Sequence, residues 1–142
     1  MEVKVKKLDP NATIPQYKTT GSSGLDLVAS AEVIEVDKGY LEYKTGIAIE
    51  IPAGFEGQIR PRSSIRDKDL TLVNSPGTID SDYRGEITVT FKPTRPKARK
   101  YAVGERIAQL VIVPIVQVNL IEVTALDNTQ RGAGGWGSTG TK

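Results

Sequence analysis

Asp80 and Asp82 stand two residues apart in GTIDSDYRG (residues 77–85), with Tyr83 and Arg84 beside them. On a strand such a pair projects to one face, where two carboxylates can orient a water molecule or bind a metal; a polar hairpin turn is the other use of the same residues. These carboxylates matter because the chain contains neither histidine nor cysteine. That excludes Ser–His and Cys–His nucleophilic catalysis and the usual zinc sites, leaving a carboxylate, a lysine or a tyrosine as general base. In RPRSS (residues 60–64) two arginines flank Pro61 and two hydroxyls follow, an arrangement suited to an anion and equally to a solvated strand end. Asp26 in SGLDL lies between apolar neighbours, where a carboxylate is either paired or functional. GERIAQL (residues 104–110) reads as a turn entering a buried strand.

The last chemically suggestive segment is RGAGGWGSTG, residues 131–140, which sets the single tryptophan of the chain among five glycines. It approximates a nucleotide-binding phosphate loop, but Ser138 replaces the lysine, and no strand precedes it and no helix pattern follows. That excludes a phosphate-loop hydrolase fold. The local physics remains: glycines let backbone N–H groups converge on an anion, and Arg131, Ser138 and Thr139 add donors. A disordered tail is the plain alternative. A lone Trp136 on such an arm gains most by stacking on a planar ligand.

The elements that must hold these groups are strands. Residues 3–6 and, in part, 45–51 alternate at period two, and residues 85–91 place Ile87, Val89 and Phe91 on one face. Residues 110–118 are nearly all apolar, as expected of a strand buried on both sides or in a subunit interface. Gly and Pro breakers at 52–54, 75–77, 93–96 and 104 separate the runs, which predicts an all-β antiparallel sandwich, jelly roll or barrel. Gln109, Pro114, Gln117 and Asn119 interrupt the one long apolar run, so it reads as core strands and no membrane partner is expected. The expected organisation is a β domain over 1–127 and a flexible arm over 128–142. A net charge of +2 is too small to argue for nucleic acid, and the basic run 92–100 (KPTRPKARK) reads as a solvated hairpin loop. The absence of cysteine fits a reducing compartment, and the charged N-terminus is no secretory signal, so a cytoplasmic location is expected, with a nuclear or viral setting left open.

Taken in order, SGLDL, RPRSSI, GTIDSDYRG, GERIAQL and RGAGGWGSTG resemble the five motifs of the trimeric dUTPase family, over residues 23–140. The resemblance implies a homotrimer of jelly-roll-like subunits with active sites shared between chains, the C-terminal arm of a neighbour closing each one. It implies dUTP as substrate and Mg2+ as cofactor, with water attacking the α-phosphorus to give dUMP and pyrophosphate. Asp80 matches the catalytic aspartate that activates the water, and Tyr83 the tyrosine that packs beneath deoxyribose and leaves no room for a 2′-hydroxyl. Asn74, with backbone groups of Gly77, Thr78 and Ile79, matches the hairpin that reads the uracil edge. Arg62, Ser63 and Ser64 match the segment at the inner phosphates, and Gln109 a glutamine near the α-phosphate. Asp26 matches an aspartate associated with the metal through water. On the arm, Trp136 is to stack on uracil, Gly135 and Gly137 to let the chain wrap the triphosphate, and Arg131, Ser138 and Thr139 to hold the γ-phosphate. Three departures stand out: Ser64 for a common glycine, Trp136 for phenylalanine and Glu105 for aspartate. The related dCTP deaminases would need a catalytic glutamate in the central hairpin, where this chain has aspartates. A nucleotide-switched binder without turnover is the rival of another class.

Overall fold

The computed structural model describes residues 1–138 and Gly140, and all of its regular elements are strands or short 3-10 turns. One four-stranded antiparallel sheet has the order β2 (Leu25–Val28), β10 (Arg106–Pro114), β6 (Phe55–Pro61), β8 (Gly77–Ile79). A second has the order β3 (Ile34–Val36), β4 (Tyr40–Lys44), β9 (Thr88–Pro93), β7 (Leu70–Leu72). A two-stranded ribbon pairs β1 (Lys4–Lys7) with β5 (Ile47–Glu50). The architecture is the expected all-β, jelly-roll-like one, with sheets that do not close into a barrel.

One apolar cluster joins the sheets. Leu27, Ile59, Ile107 and Leu110 come from the first sheet, and Leu41, Tyr43, Val89 and Phe91 from the second. Each fully buried side chain of this size stabilises the fold by roughly 1.5–3 kcal/mol through removal of apolar surface from water. Tyr43 meets Phe91 and Tyr101 edge-on at ring-centroid distances of 5.7 and 5.8 Å, and its hydroxyl accepts the N–H of Tyr101 at 3.0 Å. The expected alternation of Ile87, Val89 and Phe91 holds, all three being buried.

Other expectations are corrected. The apolar run 110–118 is not one strand: β10 starts at Arg106 and ends at Pro114, which cannot donate to a ladder, and Val116 and Val118 are 87% and 71% exposed. The run 3–6 falls largely within a strand, over Lys4–Lys7, but an exposed one whose lysines blunt a sheet edge. The basic run 92–100 is no hairpin loop, because β9 and β10 belong to different sheets and the segment crosses between them.

Candidate active site

Strands β7 and β8 are consecutive in the chain yet lie on the matching edges of different sheets, so residues 73–76 bridge the two layers. The gap between those edges is a pocket of about 320 Å3. Asn74, Gly77, Thr78, Ile79, Asp80 and Tyr83 all line it, so six residues singled out in the sequence meet there. Glu86, Thr88 and Thr90 line it too and were not foreseen. Strand alternation does not govern Asp80 and Asp82, because β8 ends at Ile79 and the chain then turns, with Tyr83 N–H donating to Asp80 C=O at 3.1 Å. The turn sends Asp80 into the pocket and leaves Asp82 outside it. Among the described residues Asp80 has no ion-pair partner, so its exposed carboxylate is available to a ligand or a water. Tyr83 donates its hydroxyl to Glu86 C=O at 3.0 Å, which lays the ring across Gly85; a Cβ at Gly85 would overlap that ring.

At the other edge of the same sheet lies a groove of about 250 Å3. Asp26, Arg62, Ser63 and Gln109 line it. Both oxygens of Asp26 are taken: Arg62 Nε donates to Oδ1 and Arg106 Nη1 to Oδ2, each at 2.9 Å. The sequence reading that Asp26 is paired or functional is answered by two guanidinium groups. Arg106 was missed, and the reason is geometric. Residues 106 and 109 point to opposite faces of a regular strand, but β10 shifts register between Arg106 and Ala108, pairing them with Val28 and Leu27. The extra residue, Ile107, turns into the core and returns Arg106 to the face that carries Asp26 and Gln109. Gln109 donates from Nε2 to Pro61 C=O at 2.9 Å, fixing its carbonyl end toward Gly24.

Ser64 does not line the groove; its hydroxyl accepts Arg62 Nη1 at 3.3 Å and so buttresses the arginine from behind. The 3-10 turn Ser63–Asp67 that carries these residues is tied to the start of β10 by Lys68, which pairs with Glu105 at 3.1 Å and sits 4.5 Å from the centre of the Tyr101 ring. Glu105 also accepts the Ala102 N–H at 2.6 Å. That backbone bond, the largest effect, lowers its carboxyl below the usual 4.5; burial opposes it, and Lys68 adds smaller lowering contributions. GERIAQL therefore is a turn into a strand, with Gly104 at φ 84°.

Of the arm residues, Arg131, Gly135, Trp136, Gly137 and Ser138 line neither pocket, and Thr139 lies outside the described residues. Trp136 is fully exposed, and Arg131 Nε donates to Gly134 C=O at 3.0 Å within a series of short turns.

The geometry thus offers a pocket presenting Asn74, Asp80 and Tyr83 at one sheet edge and a cationic groove at the other. The family model for dUTPase matches residues 10–140. A deoxyuridine 5'-triphosphate nucleotidohydrolase from Hydrogenobaculum sp. (strain Y04AAS1) is 50% identical over 144 residues, covering 100% of both chains. A mutant dUTPase of Staphylococcus bacteriophage 80alpha, solved with dUpNHpp, superposes with a TM-score of 0.84 at 28% identity, covering 98% of each chain. A mutant dUTPase from phage phi11 of S. aureus, described for its coordination of a structural Mg(II) ion, gives 0.74 at 25% identity, covering 88% of this chain and 98% of its own. This chain belongs to the dUTPase family of enzymes.

Proposed function

We propose that the protein hydrolyses dUTP to dUMP and pyrophosphate, with Asp80 as general base. The observation that carries this reading is the position of Asp80: a carboxylate with no ion-pair partner among the described residues, on the rim of a pocket that also presents Asn74 and Tyr83. The slot seats the base. Asn74 and the backbone of residues 77–79 read the uracil edge, and a polar mismatch there rejects cytosine more strongly than a lost methylene would. The Tyr83 ring, held down by its bond to Glu86, packs under the sugar and excludes a 2′-hydroxyl. Asp80 takes a proton from water as the water approaches the α-phosphorus in line with the departing pyrophosphate. Arg62, Ser63 and Gln109 orient the phosphates, so the rate gain is mainly positioning and charge stabilisation.

Magnesium fits this site in one way only. Among the described residues no three carboxylates cluster, and both oxygens of Asp26 are engaged by arginines. A hard cation that keeps its waters suits such a donor set, with the substrate phosphates as ligands and Asp26 reached through water. When bound, it neutralises charge across the phosphates.

The two pockets share no residue and lie on opposite edges of a four-stranded sheet, about 14 Å apart at the usual strand spacing. Sites completed between chains of a homotrimer bring the slot of one subunit to the groove of the next. Val116, Val118, Leu120 and Leu126 are each at least 71% exposed, apolar surface that an assembled oligomer covers. Residues 128–142 form the arm that closes each site, with Trp136 stacked on uracil and Arg131, Ser138 and Thr139 at the terminal phosphate; residues 1–127 form the body. No helix among the described residues is long and apolar enough to cross a membrane. We infer a cytoplasmic role in keeping uracil out of DNA and supplying dUMP.

The test is pyrophosphate release from dUTP, dCTP, dTTP and UTP with magnesium, followed together with Trp136 fluorescence. Release from dUTP alone with an emission change on binding is expected. Ammonia from dCTP would move the chain to the deaminases, and silence on all four substrates with an intact fluorescence response would make it a binder.

A further inference from the structure

The cationic groove contains a third positive charge that no motif announces. Lys18 lines it beside Ser22, Ser23, Arg62 and Arg106. Its place is set by the backbone, not by chance on a loose loop. Asp26 N–H donates to Gln16 C=O at 3.1 Å, a one-residue bridge that lays the incoming chain along β2. From Thr19 the chain closes a turn: Ser22 N–H donates to Thr19 C=O at 3.1 Å, and Thr19 N–H donates to Ser22 Oγ at 3.0 Å. Lys18 sits between these two restraints, so its stem leaves the backbone at the groove wall.

The three cations are not equivalent. Arg62 and Arg106 each give an N–H to Asp26, so the carboxylate already offsets part of their field. Lys18 makes no ion pair among the described residues, whose ion-pairing cations are Lys4, Arg62, Arg66, Lys68, Arg95, Lys100 and Arg106. The groove therefore holds three formal positive charges against one negative, and the ammonium of Lys18 is the one not committed to a carboxylate. A compact ammonium with three rotatable donors on a flexible stem can follow phosphate oxygens as they move, more freely than a guanidinium tied to a carboxylate.

We propose that Lys18 is a substrate-binding residue that holds the phosphate chain, supplying the mobile positive charge that Arg62 and Arg106, tied to Asp26, do not. This rests on the groove being the phosphate end of the dUTP site. It predicts that Lys18 acts on phosphate-rich ligands and not on the base: its removal weakens dUTP and inorganic triphosphate and spares deoxyuridine.

Two measurements test it on the full-length protein. In steady-state kinetics with dUTP and magnesium, Lys18→Gln should raise KM by roughly tenfold, the size expected for loss of one charge-assisted hydrogen bond, with kcat changing far less. Lys18→Arg should recover most of the loss, and the dependence of log KM on log salt should be shallower for Lys18→Gln. In parallel, calorimetric titration with inorganic triphosphate should show the same ranking of parent, Lys18→Arg and Lys18→Gln, while inhibition by deoxyuridine stays unchanged. Equal triphosphate affinity in parent and Lys18→Gln, or an equal loss for deoxyuridine, overturns the proposal. Parent protein that fails to turn over dUTP overturns the functional reading instead, and the triphosphate titration still decides the role of Lys18.

Discussion

Gly24 lies so close to Gln109 that a Cβ at position 24 would stand 2.5 Å from Gln109 Oε1 and 2.9 Å from its Cβ. The glycine is required by that approach, since its backbone is not in the left-handed region. Gly24→Ala must push Gln109 off Pro61, at a cost of roughly 1–3 kcal/mol in stability from overpacking. Misplacement of a phosphate-orienting group should lower kcat/KM by roughly ten- to a hundredfold. Adding Gln109→Ala removes the Oε1 overlap but keeps the close Cβ, so it should recover only part of the thermal midpoint and leave activity low; restored activity would mean Gln109 does not touch the substrate.

Asp26 holds two arginines together, so its loss leaves like charges facing each other. Asp26→Ala should lower the thermal midpoint, and added salt should narrow the gap to the parent by screening the repulsion. A gap independent of salt would assign the loss to packing alone. Turnover should fall with it, because Arg62 keeps only its Nη1 contacts to Ser64 and the Arg106 C=O.

Asp80→Asn preserves shape and removes the base. Turnover should drop by roughly 10²- to 10⁴-fold while dUTP still quenches or shifts Trp136 emission. Near-parental turnover would remove Asp80 from the catalytic role.

The arm can be tested without touching the body. Trp136 is fully exposed, so Trp136→Ala should leave the thermal midpoint unchanged. It should weaken substrate binding by about 1–3 kcal/mol, the usual worth of stacking one base on an aromatic ring. Trp136→Phe should retain most of the affinity. Loss of oligomeric state on deleting residues 129–142, read by light scattering, would make the arm structural first.

Glu105 gives a pH signature. Its folded pKa lies below the usual 4.5, so its stabilising contribution is present above that value and lost as the pH falls through the lower, folded value. The thermal-midpoint difference between the parent and Glu105→Gln should be constant near neutrality and shrink in the acid range. A difference that persists at low pH would show that the Ala102 and Lys68 contacts do not depend on charge.

What the sequence made legible followed from local rules. The period-two pattern placed Ile87, Val89 and Phe91 on one face, and the carboxylate between apolar neighbours at Asp26 read as either paired or functional. The family motifs pointed to Asn74, Asp80 and Tyr83, which the fold gathers into one pocket. What stayed hidden depended on long-range geometry. Arg106 reaches Asp26 because one extra residue at Ile107 shifts a register, and nothing local announces a bulge there. Lys18 enters the groove through a single bridge from Gln16 to Asp26. Ser64 carries a hydroxyl that suits phosphate, yet Arg62 claims it from behind. The apolar run after Pro114 read as a strand, because apolar character alone does not tell a core from surface awaiting a partner.

The separation of slot and groove on one subunit has a genetic consequence. If each site joins the slot of one chain to the groove of the next, a defect in either half disables two different edges of the trimer. Chains carrying Asp80→Asn and chains carrying Arg62→Ala would each assemble into inactive trimers. Co-expressed in equal amounts and mixed at random, they would leave about one quarter of the sites with both halves intact, by the symmetry of a cyclic trimer. Two null alleles of this protein would then complement each other.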